Sequence, residues 1–352
     1  MTTADNQTVG NDAVAEFVKR AKPKPARALV DLFVWSWGVL VAGVAVYIAF
    51  PSVWTFALAF LVVTSRMGAL LALAHDAQHS AFLPNKRGND LVASWMCAYP
   101  MGSIYGSSRA VHMAHHKLLG TVEDPDRNFH REDNKSTPAQ FVAHFARLVF
   151  GGQLWTSIIV NGLLRPRVKE TTAQTGEVVV NRKGHPEILN LVPVQLAIWG
   201  VLWAASGQWW LYFALWLGPI FTLGTFLGFL RGFVDHARLK TDGDGPQEGR
   251  LMTVANVSFL ERAFLAPFDF KYHGEHHLFP AVPHYYLSDL HELLQSSEFY
   301  RRQYGVRQSY AQFIAQYWRQ IASDARSAAA APAVQTPAPL PAPAPASDPS
   351  NF

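Results

Sequence analysis

Four long apolar stretches divide this sequence, and they leave few folds open to it. They cover residues 28–50, 53–74, 188–206 and 209–230, and charged residues are nearly absent from them. At a rise of about 1.5 Å per residue, each stretch can cross a hydrocarbon core about 30 Å thick. Only 16% of the chain is charged, well below the average for soluble proteins, which favours the same conclusion. We therefore predict an all-α integral membrane protein with four transmembrane helices.

The turns between neighbouring apolar stretches indicate how they pair and which way they face. Residues 51–53 and 206–208 join the two members of each pair and carry no charge, so each pair is predicted to form a hairpin. Basic residues crowd the connections at the opposite ends, and the positive-inside rule places such connections, with both termini, in the cytoplasm. They are Lys19, Arg20, Lys22, Lys24 and Arg27 before the first hairpin, and Arg165, Arg167, Lys169, Arg182 and Lys183 between the two.

The remaining segments complete the predicted domain plan. Residues 1–27 are polar and are interpreted as a cytoplasmic lead-in, because no small-residue cleavage site follows a short apolar core. Residues 28–326 form the membrane domain. Within it, residues 140–164 mix apolar and polar side chains and are predicted to be amphipathic and interfacial. Residues 327–352 are mainly Ala and Pro, a composition that predicts a disordered tail.

Histidines gather in three short motifs, which we call boxes one, two and three. Their sequences are HDAQH at 75–79, HMAHH at 112–116 and HGEHH at 273–277. Positions i, i+3 and i+4 share one face of a helix, so each box is predicted to aim its imidazoles at one point. Imidazole suits iron, zinc, copper and nickel, and eight imidazoles exceed the ligand number of one zinc ion. The boxes therefore predict two metal ions held by His75, His79, His112, His115, His116, His273, His276 and His277.

The histidines outside the boxes are interpreted differently from one another. His236 lies at the end of the fourth apolar stretch, where a ninth ligand would be useful. The alternative for His236 is a residue that caps the helix C-terminus. The others are interpreted as ordinary structural residues, with at most an outer supporting role for those that follow box three. They are His130, His144, His185, His284 and His291.

For the boxes to meet, all three must lie on one side of the membrane. Box one directly follows the second apolar stretch, so residues 91–106 must not cross before box two. They are short and are interrupted by Pro100, Gly102 and Gly106. Between boxes two and three, the second hairpin crosses twice and returns the chain to the same side. Hydropathy and the metal hypothesis therefore agree, and together they predict a cytoplasmic helical cap that carries the boxes.

The three boxes resemble those of the integral-membrane fatty acid desaturase family. The resemblance covers about residues 28–300, and residues 272–283 are similar to the same stretch of bacterial acyl-lipid desaturases. Box one has three residues between its histidines, as in many bacterial and acyl-lipid members, whereas acyl-CoA desaturases have four. Residues 272–283 also resemble the dihydrorhizobitoxine desaturase branch, whose substrate is not an acyl chain, and carotenoid ketolases share similar boxes. The resemblance therefore defines the superfamily better than the substrate.

This resemblance implies a diiron centre held by the eight box histidines and His236, with O₂ as co-substrate. It also implies a bacterial inner-membrane location, with the metal site on the cytoplasmic side. Acidic residues near the centre are candidates to orient the imidazoles through hydrogen bonds. They are Asp76, Asp124, Asp126, Asp235, Asp269 and Glu275.

The resemblance further implies an external source of electrons. A His-Pro-Gly-Gly haem motif does not occur in the sequence, so a fused cytochrome b5 domain is not expected. We expect a ferredoxin-, flavodoxin- or cytochrome-type carrier with its reductase, attracted to basic loops near the boxes. The basic residues in question are Arg109, Lys117, Arg238, Lys240 and Lys271.

Composition and motifs leave a ranked set of functions. The leading hypothesis is O₂-dependent desaturation of a membrane-lipid acyl chain, and the nearest rival is hydroxylation or ketolation of an acyl chain, carotenoid or other small amphiphile. A membrane zinc hydrolase or a metal carrier is a remote alternative. The single cysteine, Cys97, excludes an intramolecular disulfide and a metal site built from cysteines. The net charge of +4 is spread along the chain and predicts no nucleic-acid partner.

Overall fold

The computed structural model describes residues 3–155, 187–242 and 250–330 of the chain. Within that part, four helices are long and apolar enough to cross a membrane, which confirms the predicted all-α membrane fold. Strand structure in the described residues is confined to two short strands. The four helices are span 1 (Pro25–Ala49), span 2 (Val53–Gln78), span 3 (Leu189–Ser206) and span 4 (Tyr212–His236).

Spans 2 and 4 continue beyond the apolar stretches from which they were predicted. Span 2 ends at Gln78 instead of residue 74, and span 4 ends at His236 instead of residue 230. A hydropathy criterion stops at the first polar residues, but the backbone hydrogen bonds continue until the chain turns, at Ser80 with a φ of 59°. As a result, His75 and His236 lie on the last turns of two membrane-spanning helices.

Both hairpins turn at the end of the spans opposite the boxes. Large aromatic side chains are exposed there, which is typical of residues at a membrane–water interface. They are Phe50 and Trp54 at the first turn and Trp209 and Trp210 at the second. Arg66, in the middle of span 2, donates hydrogen bonds to the Trp35 carbonyl (3.1 Å) and to the Ser65 hydroxyl (2.7 Å). The cost of a guanidinium at this depth is thus offset by partners within the protein.

Residues 91–106, which are predicted not to cross the membrane, enter between the spans and turn back. Gly102 makes the turn with a φ of 69°, a conformation that glycine adopts at little cost. Side chains of the spans satisfy the carbonyls around it. Trp216 Nε1 donates to Pro100 O (2.9 Å), and Gln195 Nε2 donates to the same oxygen (3.0 Å). Irregular backbone at membrane depth requires this kind of internal pairing.

The described elements outside the spans are called the cap. Its strands pair in parallel, with Thr253 opposite Val306. Its helices are α1 (Thr3–Arg20), α2 (Lys86–Ala93), α3 (Tyr105–Leu118), α4 (Arg127–His130), α5 (Pro138–Val149), α6 (Gly152–Trp155), α7 (Phe259–Phe264), α8 (His273–Leu278), α9 (Leu287–Gln295), α10 (Glu298–Arg301) and α11 (Tyr310–Ala330), and its strands are β1 (Met252–Val254) and β2 (Gly305–Arg307).

Aromatic packing fixes the cap to the end of span 4. Phe233 is fully buried, and its ring centroid lies 4.8 Å from that of Tyr317 on α11 and 6.0 Å from that of Phe141 on α5. Helix α5 buries Phe141, Phe145 and Leu148 and exposes Val142, as an amphipathic helix does. The end of span 4, and with it His236, is therefore held rigidly.

Some predicted segments differ from the structure at their ends or lie outside the described residues. Helix α11 runs to Ala330, four residues into the segment predicted as a disordered tail, because alanine has the highest helix propensity. The rest of that tail, from residue 331, lies outside the described residues. So do residues 156–164 of the predicted amphipathic segment, the basic residues at 165–183, and His185.

Candidate metal centre

The ends of spans 2 and 4 meet helices α3 and α8 of the cap, and the three boxes lie where they meet. Span 2 contributes His75, His79 caps the C-terminal end of span 2, and span 4 contributes His236. Box two lies on α3 and box three on α8. The structure brings all nine predicted ligands together in one buried region.

The nine imidazoles form two groups, which we call group A and group B. In group A, the ligand nitrogens of five histidines lie within 4.8 Å of one another. In group B, the ligand nitrogens of three histidines lie within the same distance of one another. His273 joins group B, because its Nε2 lies 3.0 Å from that of His236 and 3.1 Å from that of His277. Group A is His75, His79, His112, His116 and His276; group B is His115, His236, His273 and His277.

The division between the groups runs through the boxes, so the prediction that each box aims at one point is wrong for boxes two and three. In box two, His112 and His116 belong to group A, and His115 belongs to group B. In box three, only the middle histidine, His276, belongs to group A. Residues i and i+4 differ by about 40° around a helix, whereas i+3 and i+4 differ by about 100°. A box of this spacing therefore faces both groups.

The nitrogen geometry fits metal ions. His112 Nε2 lies 2.8 Å from His79 Nε2 and 3.0 Å from His116 Nε2. Metal–nitrogen bonds of about 2.1 Å at right angles place neighbouring ligand atoms about 3 Å apart. His276 is fully buried, and both of its ring nitrogens have no hydrogen-bond partner in the described structure. Burying such groups is costly unless a partner is bound, and a metal ion provides one.

Burial also keeps the imidazoles in the form that binds metal. It lowers the pKa of His79 to about 4, with a further contribution from Arg109, and the pKa of His116 to about 3, with contributions from His79 and His115. The pKa of His276 is also lowered, first by burial and then by neighbouring imidazoles. Near pH 7 these rings are neutral, as metal binding requires.

Hydrogen bonds outside the two groups orient the imidazoles of group B. His115 Nδ1 donates to Asp124 Oδ1 (2.9 Å), and His130 Nε2 donates to Asp124 Oδ2 (2.8 Å). Burial alone would raise the pKa of Asp124, but these hydrogen bonds outweigh it and lower the pKa. His236 Nδ1 donates to Arg250 O (2.7 Å). The donations from Nδ1 of His115 and His236 leave their Nε2 atoms to face the centre, as in the outer hydrogen bonds of many metal sites.

Comparison with known proteins agrees with this geometry. The family model for fatty acid desaturases matches residues 51–311, a range that includes all three boxes and His236. The chain belongs to the fatty acid desaturase family. It is therefore an enzyme of the desaturase and oxygenase kind, and the described histidine groups lie within the matched part of the chain.

Two curated relatives are similar to this chain at low identity. Dihydrorhizobitoxine desaturase from Bradyrhizobium elkanii is 25% identical over 251 residues, which cover 66% of this chain and 66% of that protein. Beta-carotene ketolase from Paracoccus sp. is 25% identical over 233 residues, which cover 64% of this chain and 74% of that protein. The chain thus spans about two thirds of the length of the first relative.

The six acidic candidates have different partners in the structure. Within the part of the chain that the structure describes, Asp124 is the one whose carboxylate accepts a hydrogen bond from a box histidine. The others bind elsewhere. The carboxylate of Asp76 accepts a hydrogen bond from His284, and that of Glu275 accepts hydrogen bonds from His291 and Thr253. Asp235 accepts a hydrogen bond from Arg231, and Asp269 forms an ion pair with Arg262. The backbone amide of Asp126 donates to Asp124.

His284 does more than the structural role assigned to it from sequence. Its Nδ1 donates to Asp76 Oδ2 (2.7 Å), and its Nε2 donates to Asp31 Oδ2 (3.2 Å). All three side chains are buried. Burial alone would lower the pKa of His284, but the two carboxylates outweigh it and raise the pKa to about 9. A positively charged His284 therefore joins the segment after box three to spans 1 and 2.

Sequence reasoning gave His130 no role at the centre and allowed His284 at most an outer supporting one, and it identified the partners of neither residue. His130 follows box two by fourteen positions, and His284 lies more than two hundred positions from its partners in spans 1 and 2. Spacing cannot reveal contacts of that kind. The available signals were Asp31, a carboxylate inside an apolar stretch, and Asp76, a carboxylate inside box one. Each needs a cationic or hydrogen-bonding partner when buried.

Replacing His284 by leucine is expected to destabilise the protein by about 3–5 kcal/mol, because it removes the cation between two buried carboxylates and leaves Asp76 without one, whereas Asp31 keeps Arg27. The midpoint of unfolding in mixed micelles measures the effect. The matched control is Glu298→Gln, which removes an exposed i,i+4 ion pair with Arg302 and should cost less than about 1 kcal/mol. Adding Asp31→Asn and Asp76→Asn to His284→Leu should restore most of the loss. A His284→Leu variant as stable as the Glu298→Gln control would contradict this role for His284.

Proposed function

We propose that this chain is a non-haem diiron oxidoreductase that uses O₂ to desaturate the acyl chain of a membrane lipid. The observation that supports it most directly is the arrangement of nine imidazoles in two adjoining groups, at the ends of membrane spans, in a chain of the desaturase family. The rings of His116 and His277 stack at 4.1 Å and connect the two groups. Two ions bound in groups A and B would therefore be neighbours.

The described residues have separate tasks in this proposal. Group A would hold one iron and group B the other, and iron there would supply the oxidant that an unactivated C–H bond needs and that side chains lack. Asp124 and the Arg250 carbonyl hold His115 and His236 in place. Phe270, fully buried, packs at 4.9 Å against His75 and at 5.9 Å against His276, and it excludes water from that side of group A.

Electron balance makes an external donor part of the proposal. Forming a carbon–carbon double bond removes two hydrogen atoms, that is, two protons and two electrons, from the substrate. Reducing O₂ to two waters takes four of each. The other two electrons and two protons must come from outside the substrate, so we propose a ferredoxin-, flavodoxin- or cytochrome-type carrier with its reductase as partner.

Ketolation or hydroxylation is the second candidate, and the similarity to a beta-carotene ketolase favours it specifically. The two functions differ in the mass of the product. Expression in a host with a compatible reductase, followed by mass spectrometry of whole-cell lipids and pigments, distinguishes them. Loss of two hydrogens supports desaturation, gain of oxygen supports the alternative, and an unchanged profile in the presence of a working carrier contradicts both.

Metal analysis separates this proposal from the remote alternatives. A diiron enzyme should contain about two iron atoms per chain, whereas a zinc hydrolase should contain zinc and remain active without O₂. A metal carrier would place ligands along a path through the spans. The described ligands gather instead at one end of spans 2 and 4, which supports an enzyme.

We further propose that the chain resides in the bacterial inner membrane, with the boxes and both termini in the cytoplasm. Reporter proteins fused after residue 108 or residue 165 should then report a cytoplasmic location. A fusion after Gly207, at the turn of the second hairpin, is the matched control and should report the periplasm. A periplasmic signal at residue 108 would place box two on the wrong side and would contradict the proposed orientation.

A further inference from the structure

Helix α7 belongs to the cap, but the exposed surface of its first turn is apolar. Its first two residues, Phe259 and Leu260, are 82% and 64% exposed. Adjacent large apolar side chains with this exposure are unusual on a surface that faces water and mark a contact with something apolar. What α7 contacts within the protein shows where this surface lies.

Helix α7 packs beside the middle of span 2. The Ser65 hydroxyl donates a hydrogen bond to Ala263 O (2.7 Å), and Gly68, three residues further along span 2, faces Phe264 O. Ser65 follows Val53, the first residue of span 2, by about 18 Å along the helix axis. A hydrocarbon core is about 30 Å thick. The contact with α7 therefore falls inside the thickness of the bilayer, not above it.

The polar groups at both ends of α7 are paired, as insertion into lipid requires, and the exposed Arg262 forms an ion pair with Asp269. At its N-terminus, the Ser258 hydroxyl accepts from Glu261 N (3.2 Å), and Glu261 Oε2 accepts from Ser258 N (2.8 Å). Glu261 Oε1 accepts from Ala311 N (2.9 Å). At the C-terminal end, the hydrogen bond from Ser65 satisfies a carbonyl that the short helix leaves free. Backbone groups left unpaired in lipid cost several kcal/mol each, so this pairing suits a segment surrounded by lipid.

A cavity of about 290 Å³ lies between α7 and spans 2 and 4. Apart from Glu261, whose two oxygens are already hydrogen-bonded, its walls are apolar. Leu61 in its wall and Leu58, one turn before it, are exposed on span 2, so the cavity is continuous with the lipid-facing surface of that span. Water has no polar partner on such walls. The lining residues are Leu61, Leu223, Leu227, Leu260, Glu261, Phe264 and Leu265.

We propose that α7 is inserted into the bilayer beside span 2, and that the cavity beneath it holds one acyl chain of a membrane phospholipid. The four spans would then not be the only membrane contact among the described residues. The inference rests on the position of α7 and the continuity of the cavity with the lipid-facing surface. It does not depend on what the enzyme oxidises.

Insertion can be tested with fluorescent labels on introduced cysteines. Cys97 is buried, so labels attach to the new sites. The variants are Phe259→Cys and Leu260→Cys, with Phe299→Cys as control, because Phe299 is also an exposed phenylalanine of a short cap helix. In vesicles of phosphatidylethanolamine and phosphatidylglycerol, lipids with a nitroxide on the acyl chain should quench labels at 259 and 260 several-fold more than at 299. Stronger quenching by aqueous iodide at 259 or 260 would overturn insertion.

The occupant can be tested with a phospholipid that carries a photoreactive diazirine on its acyl chain. Crosslinks should concentrate at Leu61 and Leu227, several-fold above the exposed positions Leu71 and Val201 on spans 2 and 3. Leu223→Trp fills the cavity and should remove the excess at Leu61 and Leu227 while leaving Val201 unchanged. Equal crosslinking at all four positions, or an excess that survives in a folded Leu223→Trp variant, would overturn the acyl-chain site.

Discussion

Replacing His276 by alanine should abolish turnover and lower the affinity for iron by roughly a hundredfold or more. The reason is that replacing even a residue that only hydrogen-bonds to a metal ligand lowers metal affinity by about 10–100-fold. His276 is fully buried, lies in group A, and packs at 4.3 Å against His75. Both of its nitrogens are without protein partners in the described structure, so its task is to bind something that is not protein. Iron content per chain and product formation in isolated membranes are the measurements.

The control for this experiment is His144→Ala. His144 lies on α5 between the rings of Phe145 and Phe229, and it belongs to neither group of imidazoles. The His144→Ala variant should have an iron content and a turnover close to those of the unmodified protein. Membrane insertion should be unchanged in both variants, because neither residue lies in an apolar stretch. A His276→Ala protein that retained two irons and normal turnover would refute the assignment of group A.

The purified protein with O₂ and substrate alone should be inactive, and a small electron carrier with its reductase should restore turnover. The reason is the two-electron deficit of the proposed reaction. The described residues outside the range 51–311 are mainly single helices, too small for a redox domain. Product formation with and without carrier is the measurement. Full turnover with a nicotinamide nucleotide alone would show that this electron route is wrong.

Lys117 offers a direct test of the basic residues that are expected to attract such a carrier, since Arg238, like three of the others, interacts with a neighbouring residue. Of the basic candidates, Arg109 pairs with Asp90, Lys240 pairs with Asp324, and the Lys271 ammonium donates to Ala255 O. Lys117 is exposed and directly follows His116. We expect Lys117→Glu to slow electron transfer from an acidic carrier and rising salt to slow it in the unmodified protein. Lys19→Glu, a change at an exposed lysine of α1, is the matched control.

Much of the fold followed from the sequence because membrane insertion imposes long apolar helices. The four spans, the two hairpins and the turning segment around Gly102 are each set by local composition. The polar ends of the spans were harder to predict, because hydropathy does not show that a helix continues through His75-Asp76 or through Asp235-His236. The nine histidines converge as predicted, and their role as metal ligands stays a prediction until metal is measured.

The division of the boxes between groups A and B could not be read from spacing alone. It depends on where α3 and α8 lie relative to the span ends, which is a tertiary property. The same holds for the acids. Asp124 binds His115, whereas Asp76, although it lies inside box one, binds the distant His284. Proximity in sequence to a ligand is therefore a poor guide to contact with it in this chain.

The contact between Asp31 and His284 has a consequence for synthesis on the ribosome. The two residues are 253 positions apart, so Asp31 enters the membrane with span 1 long before its cationic partner has been translated. Until then Asp31 relies on Arg27, whose Nε lies 2.8 Å from it. A chain truncated between box three and His284 would contain all nine predicted ligands, yet Asp31 would have only Arg27 as a partner and Asp76 would have no cationic partner. Quality-control proteases could then recognise such incomplete chains by unpaired acid at the bilayer surface.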